Sequence, residues 1–169
     1  MKKIIVNNDN LKEEDITEVV KRVKVLLINS NDEILLGYEH NDYQFPGGHV
    51  EDDESLIDTV KREIKEEVGI DLNIDNIEPF AVSIGYWKDW PLKGMNRKTE
   101  IYYFEIKSDL KPDLDNTNYT DHEKEGKFEL RYIPLDNVEN VLKENAKAYG
   151  DQFGIAREMI ELFNIYKAN

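Results

Sequence analysis

The chain has 169 residues, 40% hydrophobic and 34% charged, with a formal net charge of −14 and no cysteine. That length suits one domain, residues 1–169, and the missing cysteine excludes disulfides, zinc–thiolate centres and thiol nucleophiles. The acidic surface repels nucleic acid and anionic membranes at long range, and no stretch approaches the roughly 18 apolar residues of a membrane span. The first ten residues, MKKIIVNNDN, hold an apolar run too short for a signal-peptide core. A cytoplasmic location is therefore expected. A short strand is expected at Lys3–Val6, then a polar stretch. Thr17–Asn29 is rich in β-branched residues and partly alternates, which favours a strand over a helix. Asn29-Ser30-Asn31-Asp32 is a turn cluster, and Glu33–Tyr38 is a second strand, so the two predict a hairpin.

Phe45-Pro46-Gly47-Gly48 breaks the pattern, and a helix is predicted over Glu54–Val68. Leu56, Ile57, Val60, Ile64 and Val68 form its apolar stripe. Asp52 or Asp53 is the expected cap, and Gly69 stands where a left-handed residue ends a helix. Glu78–Trp87 and Thr99–Lys107 read as strands around a loop at Lys88–Lys98, and Ser108–Glu125 as a long polar loop. Phe128–Ile133 is a further strand. Asp136–Ala146 and Asp151–Tyr166 read as helices, the second with apolar Phe153, Ile155, Met159, Ile160, Leu162 and Phe163. This order predicts an α/β fold, a sandwich around a mixed sheet and not a doubly wound one.

One helix carries an anomaly. At 100° per residue, Glu63 and Glu67 fall at the border of the apolar stripe, and Glu66 lies just beyond. Helical glutamates are usually solvated surface. Here like charges four apart cost about 0.2–0.5 kcal/mol, and they crowd the end where the helix dipole disfavours anions. Breaking local rules at one place marks a functional site, and oxygen-only ligands suit Mg²⁺ or Mn²⁺. The Pro-Gly-Gly turn would bring a backbone carbonyl against the same face.

From Gly48 through Glu54 to Arg62-Glu63-Ile64-Lys65-Glu66-Glu67-Val68-Gly69-Ile70, the residues resemble the Nudix box, GX5EX7REUXEEXGU, at every fixed position. Phe45-Pro46-Gly47-Gly48 resembles the usual lead-in, and Glu129-Leu130-Arg131-Tyr132-Ile133-Pro134 the late strand. The likeness spans roughly Thr17 to Asn145. It implies a Nudix-type α/β/α sandwich with the box as a loop-helix-loop. It also implies hydrolysis of a nucleoside diphosphate linked to a group X, releasing a nucleoside monophosphate and phosphoryl-X. Nucleoside triphosphates and dinucleoside polyphosphates are the expected substrates, with Mg²⁺ or Mn²⁺ as cofactor. A catalytically weak nucleotide-sensing module is the alternative, and the intact glutamate set argues against it.

Carried over by residue, the resemblance makes Glu66 and Glu67 metal ligands and Glu63 a ligand or base. Arg62 would orient the glutamates, Gly47 would offer its carbonyl, and Glu54 would brace the loop. The base stays open among the glutamates. Relatives add a carboxylate from a late loop, for which Glu125 is the first candidate and Glu123 the second. Tyr43, Tyr86, Trp87 and Arg97 are candidate substrate contacts. Tyr86 stands 16 residues after Ile70, a spacing that resembles dinucleoside polyphosphate hydrolases. Ordinary packing or exposure is the commoner role for such residues. His40, His49 and His122 read as scattered, His49 as incidental within the box. The expected partner is a small nucleotide, with nucleic acid disfavoured by charge. A homodimer is allowed, with the N-terminal strand offering an interface.

Overall fold

The structure, a computed structural model, describes residues 1–151 and 154–168. The strands are β1 (Lys2–Val6), β2 (Glu18–Ile28), β3 (Glu33–Glu39), β4 (Asp42–Gln44), β5 (Ala81–Trp87), β6 (Arg97–Lys107) and β7 (Glu129–Pro134). The helices are α1 (Leu56–Val68), α2 (Asp121–Glu125), α3 (Val138–Tyr149) and α4 (Ile155–Lys167). One sheet of seven strands runs β1-β5-β6-β2-β3-β4, with β7 on the other edge of β3. It is mixed: β1–β5 and β2–β6 are parallel, and the remaining pairs are antiparallel.

The period of two along β2 divides its side chains between two cores. Val23, Val25 and Leu27 pack with Val60, Ile64 and Val68 of α1. Leu26 and Ile28 pack on the opposite face with Leu142 of α3 and Leu162 and Phe163 of α4. Helices thus cover both faces, the expected α/β/α sandwich. The hairpin between β2 and β3 is present, and the Asn29 side-chain oxygen accepts the Asn31 and Glu33 N–H groups at 3.0 Å each to close the turn.

Beyond its pairing with β3, the free edge of β2 is taken up by the lead-in to α1. Val25 N–H donates to the Pro46 carbonyl and Val23 N–H to the Gly48 carbonyl, both at 2.9 Å. This pins the Pro-Gly-Gly turn beside the sheet. Gly47 takes φ +124°, and a Cβ there would lie 2.4 Å from the Val23 carbonyl oxygen.

Several boundaries differ from expectation for local reasons. α1 is capped by Ser55, not Asp52 or Asp53: Ser55 has extended backbone, and its hydroxyl accepts the Asp58 N–H at 3.1 Å. Asp53 instead takes a left-handed turn, φ +64°. Gly69 does close the helix, at φ +78°. The loop expected at Ser108–Glu125 contains α2, a single turn with Thr120 and Glu123 forming a reciprocal capping box. The last helix begins at Ile155, not Asp151; Gln152 and Phe153, within the expected range, lie outside the described residues. Among the described residues no helix is long and apolar enough to cross a membrane.

Candidate active site

A cleft of about 820 Å³ opens between the middle of β2, the ends of β3 and β4, the Pro-Gly-Gly turn, the outer edge of α1, and α2 with the segment leading into it. Glu63, Glu66 and Glu67 all line it. Their positions follow from the helix wheel: Glu63 and Glu67 flank the buried stripe and are 9% and 6% exposed, while Glu66, one step further round, is half-buried.

Arg62 organises this edge. Its Nε and Nη2 donate to the two carboxylate oxygens of Glu54, each at 2.9 Å. Nη1 donates to Glu63 at 2.8 Å and Glu66 at 3.2 Å, and Nη2 also reaches the His49 carbonyl at 2.9 Å. One planar guanidinium therefore ties the box loop to two glutamates. Thr59, fully buried, donates to Glu54 at 2.8 Å. These bonds, the Arg62 fork first, hold the Glu54 carboxyl down at about 2.

Glu67 is placed differently. It accepts the Gly47 N–H at 3.0 Å, and burial pushes its carboxyl well above the usual range, against the pull of Lys24. Burial also raises Glu63, with Arg62 opposing. Gly48 makes room for Glu63, since a Cβ there would lie 2.5 Å from the Glu63 carboxylate.

Lys24 and Arg22 line the same cleft and were missed as site residues. Lys24 Nζ donates to the Gly47 carbonyl at 2.6 Å, the Phe45 carbonyl at 2.9 Å and Gln44 Oε1 at 3.3 Å. Burial lowers its own proton affinity, and Glu67 counters that most strongly. Arg22 Nε bonds His49 Nε2 at 3.1 Å. Two cations spaced by two in a strand whose intervening residues are core valine were a readable signal for a wet, charged sheet face.

The other candidates divide. Glu123 lines the cleft, whereas Glu125 lines a separate hollow beside His40 and Lys127. Tyr43 is 8% exposed, set edge-on against Tyr38 with centroids 4.7 Å apart, and its hydroxyl accepts from Arg131 at 2.9 Å. It packs in the core because β4 turns it inward. Tyr86 donates to Glu13 at 2.6 Å, Arg97 pairs with Glu18 at 2.6 Å, and Trp87 lies 42% exposed over the far end of the sheet. None of these four lines the cleft. The wall that faces the glutamates holds Asn118, Tyr119, Thr120 and His122 instead, all on the stretch read as loop.

The cleft sets the oxygen-rich edge of α1 beside the Gly47 carbonyl, on one face of a mixed-sheet sandwich. A family model described as the NUDIX domain matches residues 19–153, and the chain belongs to the Nudix family. It is a Nudix pyrophosphohydrolase. Among solved structures, a MutT protein from Bacillus halodurans is similar at 23% identity and a TM-score of 0.53, over 72% of each chain. An Ap4A hydrolase from C. elegans, solved as a binary complex, is similar at 18% identity and a TM-score of 0.51, over 88% of this chain and 96% of that one. Both are likenesses of fold. Comparison with curated proteins found no significant match.

Proposed function

We propose that this protein, acting as one domain, is a Mg²⁺- or Mn²⁺-dependent hydrolase of a nucleoside triphosphate or dinucleoside polyphosphate. The observation that carries the reading is the set of Glu63, Glu66 and Glu67 along one partly buried helix edge, facing a cleft beside the Gly47 carbonyl. The donor set is all oxygen, and Glu67 is buried at a cost that a bound cation would relieve. These residues fit a hard divalent ion: Glu66 and Glu67 would hold it, with Glu63 and the Gly47 carbonyl adjoining. When bound, it would neutralise the phosphoryl oxygens and activate a water.

The chain's own residues have distinct tasks. Arg62 fixes Glu63 and Glu66 so that neither has to be ordered during reaction. Water attacks one phosphorus, the anhydride P–O bond breaks, and the products are a nucleoside monophosphate and phosphoryl-X. The water's proton passes to a box carboxylate. Glu63, with raised proton affinity and only adjoining the ion, is suited to accept it. Arg22 and Tyr119 line the cleft; Arg22 would meet a phosphate and Tyr119 would stack on a base. Of the two late-loop candidates, Glu123 lines the cleft and would be the one to join the site.

The test is a panel of nucleoside triphosphates, dinucleoside polyphosphates and nucleotide sugars, with products separated by chromatography. Hydrolysis of a triphosphate or dinucleoside polyphosphate is expected with Mg²⁺ and lost in chelator. Turnover unchanged by chelator would overturn the metal role, and turnover confined to another nucleotide class would overturn the substrate.

A further inference from the structure

The turn between β3 and β4 and the short helix α2 bring together three residues that the reaction at α1 does not use. They are Glu39, His40 and His122. One ligand atom from each lies within 4.8 Å of the other two, and among the described residues no other trio of histidine and acidic side chains is gathered so closely. The rings of His40 and His122 lie tilted by 45° to each other, with centroids 4.5 Å apart. His122 Nδ1 stands 3.7 Å from Glu39 Oε2.

The cluster is built into the backbone. His40 and Asn41 both take left-handed φ, +47° and +64°, which makes the tight two-residue turn of a hairpin. His40 N–H donates to the Gly126 carbonyl at 3.2 Å, so the turn is tied to the end of α2. A Cβ on Gly126 would lie 2.6 Å from the His40 ring, so a side chain there would push the imidazole out of this position. Glu39 is held at one oxygen by Gln44 Nε2, at 2.6 Å. Its other oxygen, Oε2, is buried and accepts no hydrogen bond among the described residues. A buried carboxylate oxygen without a donor is costly, and it points to a missing positive partner.

We propose that Glu39, His40 and His122 bind a divalent transition ion of the zinc type, through ligands distinct from the carboxylate edge of α1, although Glu39 and His122 line the same cleft. Two imidazoles and one carboxylate suit such an ion, whereas Mg²⁺ prefers oxygen alone. Zinc–ligand bonds of about 2.0–2.1 Å place tetrahedral ligands about 3.3 Å apart, so the trio must close by roughly 1.5 Å at its widest. His122 is exposed on a single helical turn, and a rotamer change supplies that movement. The ion's effect follows from the topology. It would pin α2 to the β3–β4 turn, and α2 carries Glu123 into the wall of the cleft. Zinc would thereby fix one wall of the active site without entering the reaction.

The full chain, stripped with chelator, is dialysed against micromolar Zn²⁺ with millimolar Mg²⁺ present, and bound metal is measured. Wild type and Glu67→Gln should each keep about one equivalent of Zn²⁺ per chain. His40→Ala, His122→Ala and Glu39→Gln should keep none. Both histidines are exposed, so their variants fold, and circular dichroism verifies that. Hydrogen exchange across Asp121–Gly126 should slow with Zn²⁺ in wild type and not in His122→Ala. The proposal is overturned if wild type keeps no Zn²⁺, if the histidine variants keep as much as wild type, or if Glu67→Gln is the variant that loses it. Unchanged exchange in α2 on Zn²⁺ binding would overturn the pinning.

Discussion

Replacing Glu67 by Gln should stabilise the metal-free fold while abolishing turnover. Glu67 is 6% exposed and accepts one backbone N–H, from Gly47 at 3.0 Å. Burial raises its carboxyl above the unfolded value of 4.5, and Lys24 recovers part of that cost. Over the interval between the two pKa values the folded chain binds more protons than the unfolded one. Stability therefore falls as pH climbs from 4.5 through the folded value, and the loss is complete above it. Gln keeps the volume and the acceptor for Gly47 but carries no charge, so this decline should vanish. Lys24 then loses some attraction, which offsets part of the gain. The net is expected at about 1–2 kcal/mol near pH 8, or roughly 2–8 °C in Tm for a chain of this size. Urea unfolding in chelator between pH 5 and pH 8 measures it. Added Mg²⁺ should then stabilise wild type and leave the variant unmoved. Turnover should drop by about a hundredfold or more. A variant less stable than wild type at pH 8 would show Glu67 and Lys24 to be a satisfied ion pair, and the argument from burial would fail.

Glu54→Gln should act in the opposite sense, losing about 1–2 kcal/mol at neutral pH because it breaks the Arg62 fork. Glu54 titrates low, so its contribution is full above 4.5 and lost as pH falls towards about 2; the gap between wild type and variant in urea unfolding should close across that window. Gly47→Ala should cost about 2–4 kcal/mol, because the residue has φ +124° and a Cβ would meet the Val23 carbonyl at 2.4 Å; thermal unfolding reports it. Lys24→Met removes the cation that restrains Glu67, so the acidic limb of the pH–rate profile should move to higher pH. An unmoved limb would uncouple the two residues.

The fold and the carboxylate edge were legible because both rest on periodicity. A period of two sorted β2, and the wheel placed Glu63 and Glu67 at the stripe border, where burial now raises their proton affinity. Three features were not read, each for a stated reason. β4 has three residues, too few for a period to register. α2 is one turn, announced only by the Thr120-x-x-Glu123 pattern of its capping box. The choice of Tyr43, Tyr86, Trp87 and Arg97 as substrate contacts rested on residue type and, for Tyr43 and Tyr86, on position relative to the box, and neither says which way a strand faces. β4 turns Tyr43 into the core, and β5 and β6 carry the others to the far end of the sheet. Arg22 and Lys24 gave the more useful signal, being charges spaced by two between buried valines.

The balance of charge in the cleft constrains the order of binding. Seven carboxylates line it, from Glu39 to Glu123, against three permanent cations, Arg22, Lys24 and Arg62. Arg62 is already committed to Glu54, Glu63 and Glu66, and Lys24 to the carbonyls of Phe45 and Gly47. A polyphosphate entering alone therefore meets a repulsive field in a chain whose overall charge is −14. Divalent cations that enter first, or with the phosphates, reverse that field locally. Nucleotide affinity should accordingly depend on metal and not merely turnover. Calorimetric titration of a non-hydrolysable triphosphate analogue should give binding in Mg²⁺ and none resolvable in chelator. Glu67→Gln should lose most of the Mg²⁺ dependence. Equal affinity with and without metal would mean that Arg22 and the exposed wall suffice to hold the phosphates, and the carboxylates would then serve the chemical step alone.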